Sequence, residues 1–281
     1  RNTISSRKKS KKWTSASKIF SRFMKLKKRI IFTLLFCKDY FHLSRNFRLQ
    51  KVGDIDWLQR NYAFNETCQY IDELAFFLVS RKHDKEEKSK FFKNINILRK
   101  KIFSPIMIGG GIQEFEDAKL CFENGADKIF INSEFENIDL INKISDTYGS
   151  QSISIVLDYR KIDREYLVYT NFGSKKNNLS LEKNFLNLQS KNIGEIILHS
   201  IDQDGTGNGF DLDIFKNLNL SSKKPLLLMG GAGKPINIKE ALNEKFISGV
   251  ITANLFNFIG NTLKVTRELC KSNKIQIANL F

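Results

Sequence analysis

The sequence predicts an α/β chain folded as a (βα)8 barrel of the TIM type, and three observations carry that expectation. Eight short apolar runs alternate with helical patterns along the chain. Strands alternating with helices imply a parallel sheet, and eight such units in about 250 residues suit a closed barrel. The unit Pro105–Phe135, PIMIGGGIQEFEDAKLCFENGADKIFINSEF, returns at Pro225–Phe256 as PLLLMGGAGKPINIKEALNEKFISGVITANLF. Gly110 falls on Gly231, Asn132 on Ala253 and Phe135 on Phe256, a repeat of two similar halves. A hydrophobic content of 41% supplies an ample core, while no apolar run reaches the roughly 18 residues of a membrane span. A doubly wound open sheet is the alternative architecture, and the two-fold repeat favours closure.

Residues 30–36 (IIFTLLF) are apolar apart from Thr33, as a strand buried on both faces should be. Residues 39–50 read as irregular and basic, and 56–71 as a helix. A second buried strand spans 74–79, followed by a charged loop at 81–88 and a helix at 91–102. The repeated unit then gives strand 105–109, helix 114–124 and strand 128–132. Helix 137–148 leads to strand 152–158. Residues 160–177 alternate apolar and polar around Asn171-Phe172-Gly173, the pattern of a hairpin or long loop. Helix 181–192, strand 195–200, loop 202–210 and helix 211–218 follow. Strand 225–229, helix 236–245, strand 248–252 and helix 261–272 complete the chain.

The formal net charge is +16, but residues 1–29 hold 12 Lys/Arg and no acid, so the rest of the chain carries +4. Residues 1–28 are therefore expected to be a basic, disordered extension, with the barrel over 29–281. A nucleic-acid or anionic-membrane arm and a transit peptide are alternatives for such a tail. The plainest reading starts the native chain at Met24, just ahead of the first strand, with residues 1–23 dispensable. No nucleic-acid partner is expected. Cys37, Cys68, Cys121 and Cys270 have no C-x-x-C spacing and form no metal cluster with three scattered histidines. They read as reduced cysteines of a cytoplasmic protein, and no metal or organic cofactor is called for.

In a barrel of this kind, chemistry gathers where the strands end. Gly110 and Gly111 follow the third strand, Asn132 and Ser133 the fourth, Asp204 and Gly205 the sixth, Gly230 and Gly231 the seventh, Ala253 and Asn254 the eighth. A glycine turn entering a helix exposes N–H groups to an anion. Two copies suggest two phosphate pockets and an elongated bis-phosphate ligand; tight turns with no ligand are the bland alternative. Asp158 ends the fifth strand, where a carboxylate can act as general acid or base, or simply pair with Arg160 or Lys161. At the opposite strand ends stand Arg29, Glu73, Lys128 and Glu195. At one level of a narrow barrel they would form a salt-bridged floor, either purely stabilising or a gate for a small neutral molecule.

Several collinear motifs resemble the cyclase subunit family of imidazole glycerol phosphate synthase. They are Gly125-Ala126-Asp127-Lys128 with Ile131-Asn132, Tyr148–Gln151, Gly194–Leu198, Ser200–Thr206 and Gly230–Lys234. The resemblance runs from about Lys28 to the C-terminus. It implies a (βα)8 barrel docked by its floor on a glutaminase, forming a heterodimer. Ammonia from that partner would cross the floor at Arg29, Glu73, Lys128 and Glu195 and travel through the barrel. It would then cleave and cyclise a bis-phosphorylated ribulosyl-formimino aminoimidazole carboxamide ribotide to imidazole glycerol phosphate. Asp127 matches a partner-docking position, and Asp158 matches the catalytic aspartate expected to be the general acid. The family's other catalytic aspartate aligns with Leu35. Positions after the first two strands also depart, at Tyr40, Ser44–Arg45 and Leu78. A branch of the family associated with surface-polysaccharide genes lacks the first aspartate and shares the Leu-Leu-Phe strand. Three functions are thus implied: a lyase and cyclase of histidine biosynthesis, an ammonia-channelling barrel serving a sugar amidotransferase, or a non-catalytic glutaminase-activating scaffold.

Overall fold

A computed structural model describes residues 27–61, 68–81, 84–100, 102–218, 220–253 and 261–278. The basic tail with Met24, and Asn254 and Phe256, lie outside the described residues. The barrel strands are β1 (Arg29–Cys37), β4 (Glu73–Leu78), β5 (Ile106–Gly109), β6 (Lys128–Ile131), β7 (Ile153–Ile162), β10 (Glu195–Ser200), β11 (Leu226–Met229) and β12 (Ile247–Thr252). Each pairs parallel with the next, and β12 returns to β1 through Arg29↔Gly249, so the ring closes. The helices between them are α1 (Ile55–Asn61), α2 (Lys85–Arg99), α3 (Phe115–Glu123), α4 (Ile138–Tyr148), α5 (Leu181–Leu188), α6 (Ile214–Asn217), α7 (Pro235–Asn243) and α8 (Thr262–Ser272).

Side-chain alternation divides the barrel into two cores. On β1, Ile30, Phe32, Leu34 and Phe36 face the helices, in one large outer cluster. Ile31 faces inward with Ala75, Met107, Phe130, Val156, Ile197, Leu227 and Ile251. The barrel interior is thus a plug of apolar side chains, one from each barrel strand.

Each half also carries an antiparallel excursion after its first strand. In the first half it is β2 (Tyr40–Arg45) with β3 (Arg48–Gly53). In the second it is β8 (Glu165–Thr170) with β9 (Lys175–Ser180), the latter in the region where a hairpin was an expected alternative. Residues 39–50, by contrast, are not irregular. Their turns are made by Lys38-Asp39 and Asn46-Phe47, all with positive φ of 49° to 68°. Two successive left-handed residues suit a tight hairpin, which usually recruits Gly or Asn. Only Asn46 supplies that signal.

Two further boundaries differ from expectation. The charged run 81–88 is partly the start of α2, because Asp84 caps it by accepting from the Glu87 N–H at 2.8 Å. Of the expected helix 56–71, α1 ends at Asn61 and residues 68–70 form a single 3-10 turn; residues 62–67 lie outside the described residues.

Candidate functional site

At the floor, the inward-facing first residues of four strands meet. Arg29 Nη1 donates to Glu73 Oε1 at 2.5 Å and Nη2 to Glu195 Oε2 at 2.7 Å. Lys128 Nζ lies 3.2 Å from Glu73 Oε1 and 3.4 Å from Glu195 Oε1. The four side chains therefore close a ring of alternating charge across the barrel axis. Burial works against the Arg29 charge, but Glu195 and Glu73 outweigh it and raise its pKa. Burial likewise opposes ionisation of Glu195. Arg29, Lys128 and a 2.7 Å hydrogen bond from Ser154 overcome that and lower its pKa. Asp127 is exposed on the same side and caps β5, accepting the Ile106 N–H at 2.7 Å.

At the opposite end a cavity of about 1110 Å³ opens over the apolar interior. Gly110, Gly111, Asn132, Ser133, Asp158 and Asp204 line it. Gly110 has φ 105°, and a Cβ there would lie 2.1 Å from the Leu78 carbonyl oxygen, so no other residue fits this turn. Leu35, 7% exposed, also lines the cavity, placing an apolar side chain on the wall at the end of β1. Gly205, Gly230, Gly231 and Ala253 do not line it. The Gly230–Gly231 turn is instead packed under the loop after β10, where the Gly209 N–H donates to the Gly231 carbonyl at 2.8 Å.

One residue at the mouth escaped the sequence reading. His199, next to last in β10, pairs with Asp158 across the sheet, and its Nδ1 donates to Asp158 Oδ1 at 2.9 Å. Asn132 Nδ2 donates to the other oxygen, Oδ2, at 3.1 Å. Burial favours a neutral His199 ring, but Asp158 and Asp204 prevail and hold its pKa up at about 9. His199 Nε2 is 3.9 Å from Asp204 Oδ1, a charge contact rather than a hydrogen bond. Asp204 is buried, which would raise its pKa, yet His199, the Ser44 hydroxyl at 2.5 Å and the Phe47 N–H at 3.1 Å lower it. The signal for His199 was available. Glu195 belongs to the floor ring and Ile197 to the inner core, so strand alternation points His199 inward.

The β2–β3 hairpin completes the site by folding across the mouth. The Asn46 N–H donates to the Asp204 carbonyl at 2.9 Å, and Phe47 lies 5.0 Å from the His199 ring, centre to centre. Gly205, with φ 67°, permits this approach, since a Cβ would stand 2.0 Å from the Ser44 carbonyl oxygen. From the second hairpin, Asn171 pairs with Ser133 at 3.2 Å. No group of three or more His, Cys, Asp or Glu among the described residues could hold a metal ion. No helix among them is long and apolar enough to cross a membrane.

The profile of the family described as "Histidine biosynthesis protein" matches residues 64–262. The chain belongs to this family. Among its histidine-biosynthesis relatives, a protein of Parasynechococcus marenigrum named "Putative imidazole glycerol phosphate synthase subunit hisF2" is 42% identical over 243 residues. The match covers 86% of this chain and 90% of that protein. The "Imidazole glycerol phosphate synthase subunit HisF" of a Thermotoga species is 30% identical, with 74% and 81% covered. Its namesake in Pelodictyon phaeoclathratiforme is also 30% identical, with 82% and 89% covered. The family and the closed ring of eight strands agree on a (βα)8 barrel of the imidazole glycerol phosphate synthase kind.

Proposed function

We propose that the chain is the ammonia-conducting barrel of a glutamine amidotransferase pair. A partner glutaminase docks on the floor, around Asp127 and the charged ring, and its ammonia enters there. The observation that carries this reading is the ring of Arg29, Glu73, Lys128 and Glu195 beneath an inner core to which each barrel strand contributes an apolar side chain. A neutral molecule crosses apolar packing at far lower cost than ammonium would, because an unpaired ion loses its hydration.

The mouth distinguishes the remaining alternatives. Cyclisation by two facing carboxylates needs one on β1, and Leu35 stands there. Removing an acid–base partner typically costs about 10²–10⁴-fold. This favours ammonia supply to another acceptor, with sugar amidation for surface polysaccharide as the candidate pathway. The cyclase reading retains specific support in the Gly110–Gly111 turn, Ser133 and Asp158 around one cavity, a setting suited to a phosphorylated ligand.

The test is direct. Full-length protein with ammonia and the bis-phosphorylated ribotide should form no imidazole glycerol phosphate above background. Turnover at the rate of an ordinary synthase would establish the cyclase reading instead.

A further inference from the structure

Four polar groups at the barrel mouth form a chain that ammonia conduction does not use. Asn132 donates to Asp158, Asp158 accepts from His199 Nδ1, and His199 Nε2 looks toward Asp204 across 3.9 Å. Asp204 is in turn fixed by Ser44 and the Phe47 N–H. His199 Nε2 is buried and has no hydrogen-bond partner among the described residues, although its side chain lines the cavity. A buried imidazole nitrogen left unpaired costs free energy unless something binds it. Among the described residues packed against the ring, Met229 of β11 pairs with His199 in the sheet, Gly230 lies by the ring's Cδ2, and the Phe47 ring lies 5.0 Å away.

An imidazole oriented through Nδ1 by a buried carboxylate, with Nε2 unpaired on a side chain that lines a cavity, is the arrangement that moves protons in many enzymes. We propose that Asp158 and His199 form the acid–base unit of this mouth, the ring rather than the carboxylate carrying the exchangeable proton to a carbonyl acceptor in the cavity. Asp158 is the positioning residue, since both of its oxygens already accept hydrogen bonds. The dyad stands where a pair of carboxylates would act if Leu35 were acidic.

The chemistry of amination fits this order of events, and this part rests on the ammonia-conduit reading above. As ammonia attacks the acceptor, a C–N bond forms and the C–O π bond breaks. The imidazolium gives its Nε2 proton to the carbonyl oxygen. The neutral ring then takes a proton from the positively charged nitrogen, leaving a carbinolamine and the imidazolium restored. No oxidant or reductant enters. An acceptor that follows this step carries an aldehyde or ketone carbonyl.

Exchange of the imidazole C2 proton with deuterium, followed by peptide mass spectrometry on the full chain, tests the dyad without knowledge of the acceptor. The pH midpoint of the rate reports the protonation of each ring, and the plateau reports its accessibility. His199 should show a midpoint of about 9 and a plateau that rises with pH, with His42 below the ordinary histidine value as an internal contrast. Asp158→Asn should lower the His199 midpoint by roughly one to three pH units, and Asp204→Asn by less. If Asp158→Asn fails to fold, the Asp204→Asn comparison carries the test alone. A His199 midpoint at or below 7, or one indifferent to Asp204→Asn, overturns the proposal. So does a ring that fails to exchange at any pH, because a sealed ring cannot reach an acceptor. None of these outcomes depends on ammonia passage, so failure here leaves the conduit reading standing, and the reverse.

Discussion

His199 makes the fold itself sensitive to pH. Its folded-state pKa is about 9, above the ordinary value of 6.5 expected in the unfolded chain. A raised histidine contributes stability fully below pH 6.5 and loses it as pH climbs through about 9. The upper bound is on the order of 3 kcal/mol for a buried ring. Urea denaturation at pH 7 and pH 10 should show the native chain losing stability across that interval. His199→Asn should flatten the slope there. Leu35 supports a second prediction at this scale. Leu35→Asp would restore a carboxylate facing the cavity and should raise any bis-phosphate cyclisation by about 10²-fold or more, the lower end of the range for an acid–base partner. It should also cost roughly 1–3 kcal/mol, because the site is buried beside Phe77. Product formation and thermal unfolding read the two effects separately.

The two hairpins show which elements the sequence announces and which it hides. Barrel strands were legible because burial on both faces leaves unbroken apolar runs, as in β1 and β4. The glycine turns and the floor charges were legible from repetition and spacing. The β2–β3 hairpin was not, because its turns use Lys38, Asp39 and Phe47 in left-handed conformations and its β3 face is largely exposed. Tertiary contacts hold it: the Asn46 side chain reaches the carbonyls of Ile201 and Asp202, both at 3.0 Å. His199 was hidden for a different reason, since it falls between the Gly194–Leu198 and Ser200–Thr206 motifs and belongs to neither. Gly205 connects hairpin to site. Gly205→Ala would force a Cβ to within 2.0 Å of the Ser44 carbonyl at a positive φ, so the hairpin must lift. Amide hydrogen exchange should then speed up at Asn46 and Phe47 by at least about tenfold while β7 and β10 stay protected.

At the scale of the whole molecule, the two ends of the barrel are chemically distinct and the apolar interior separates them. Among the described residues, the ring's hydrogen bonds and ion pairs run between its own members and to Ser154, not to the mouth, so the two should fail independently. Lys128→Met removes the cation that bridges Glu73 and Glu195, leaving Arg29 to hold both. In the pair with a glutaminase, glutamine-driven amination should fall by about tenfold or more. Reactions fed by free ammonia in solution should keep their rate, since that ammonia enters at the mouth. Equal loss of both would mean that the ring supports only folding.

One closure at the floor has a use in engineering. The segment after α8 runs alongside the strand entrance, with the Lys28 N–H donating to the Gln276 carbonyl at 2.8 Å and the Ala278 N–H to the Lys28 carbonyl at 3.0 Å. Arg267 clasps that segment through the Ala278 carbonyl while pairing with Asp72 at 3.0 Å. Residues 28 and 278 are therefore neighbours, and in a chain trimmed to 28–278 a short peptide joining them would make the polypeptide circular in effect. New termini cut at Gly149–Ser150, between the duplicated halves, would then let each half be expressed in exchanged order, or supplied as two separate fragments.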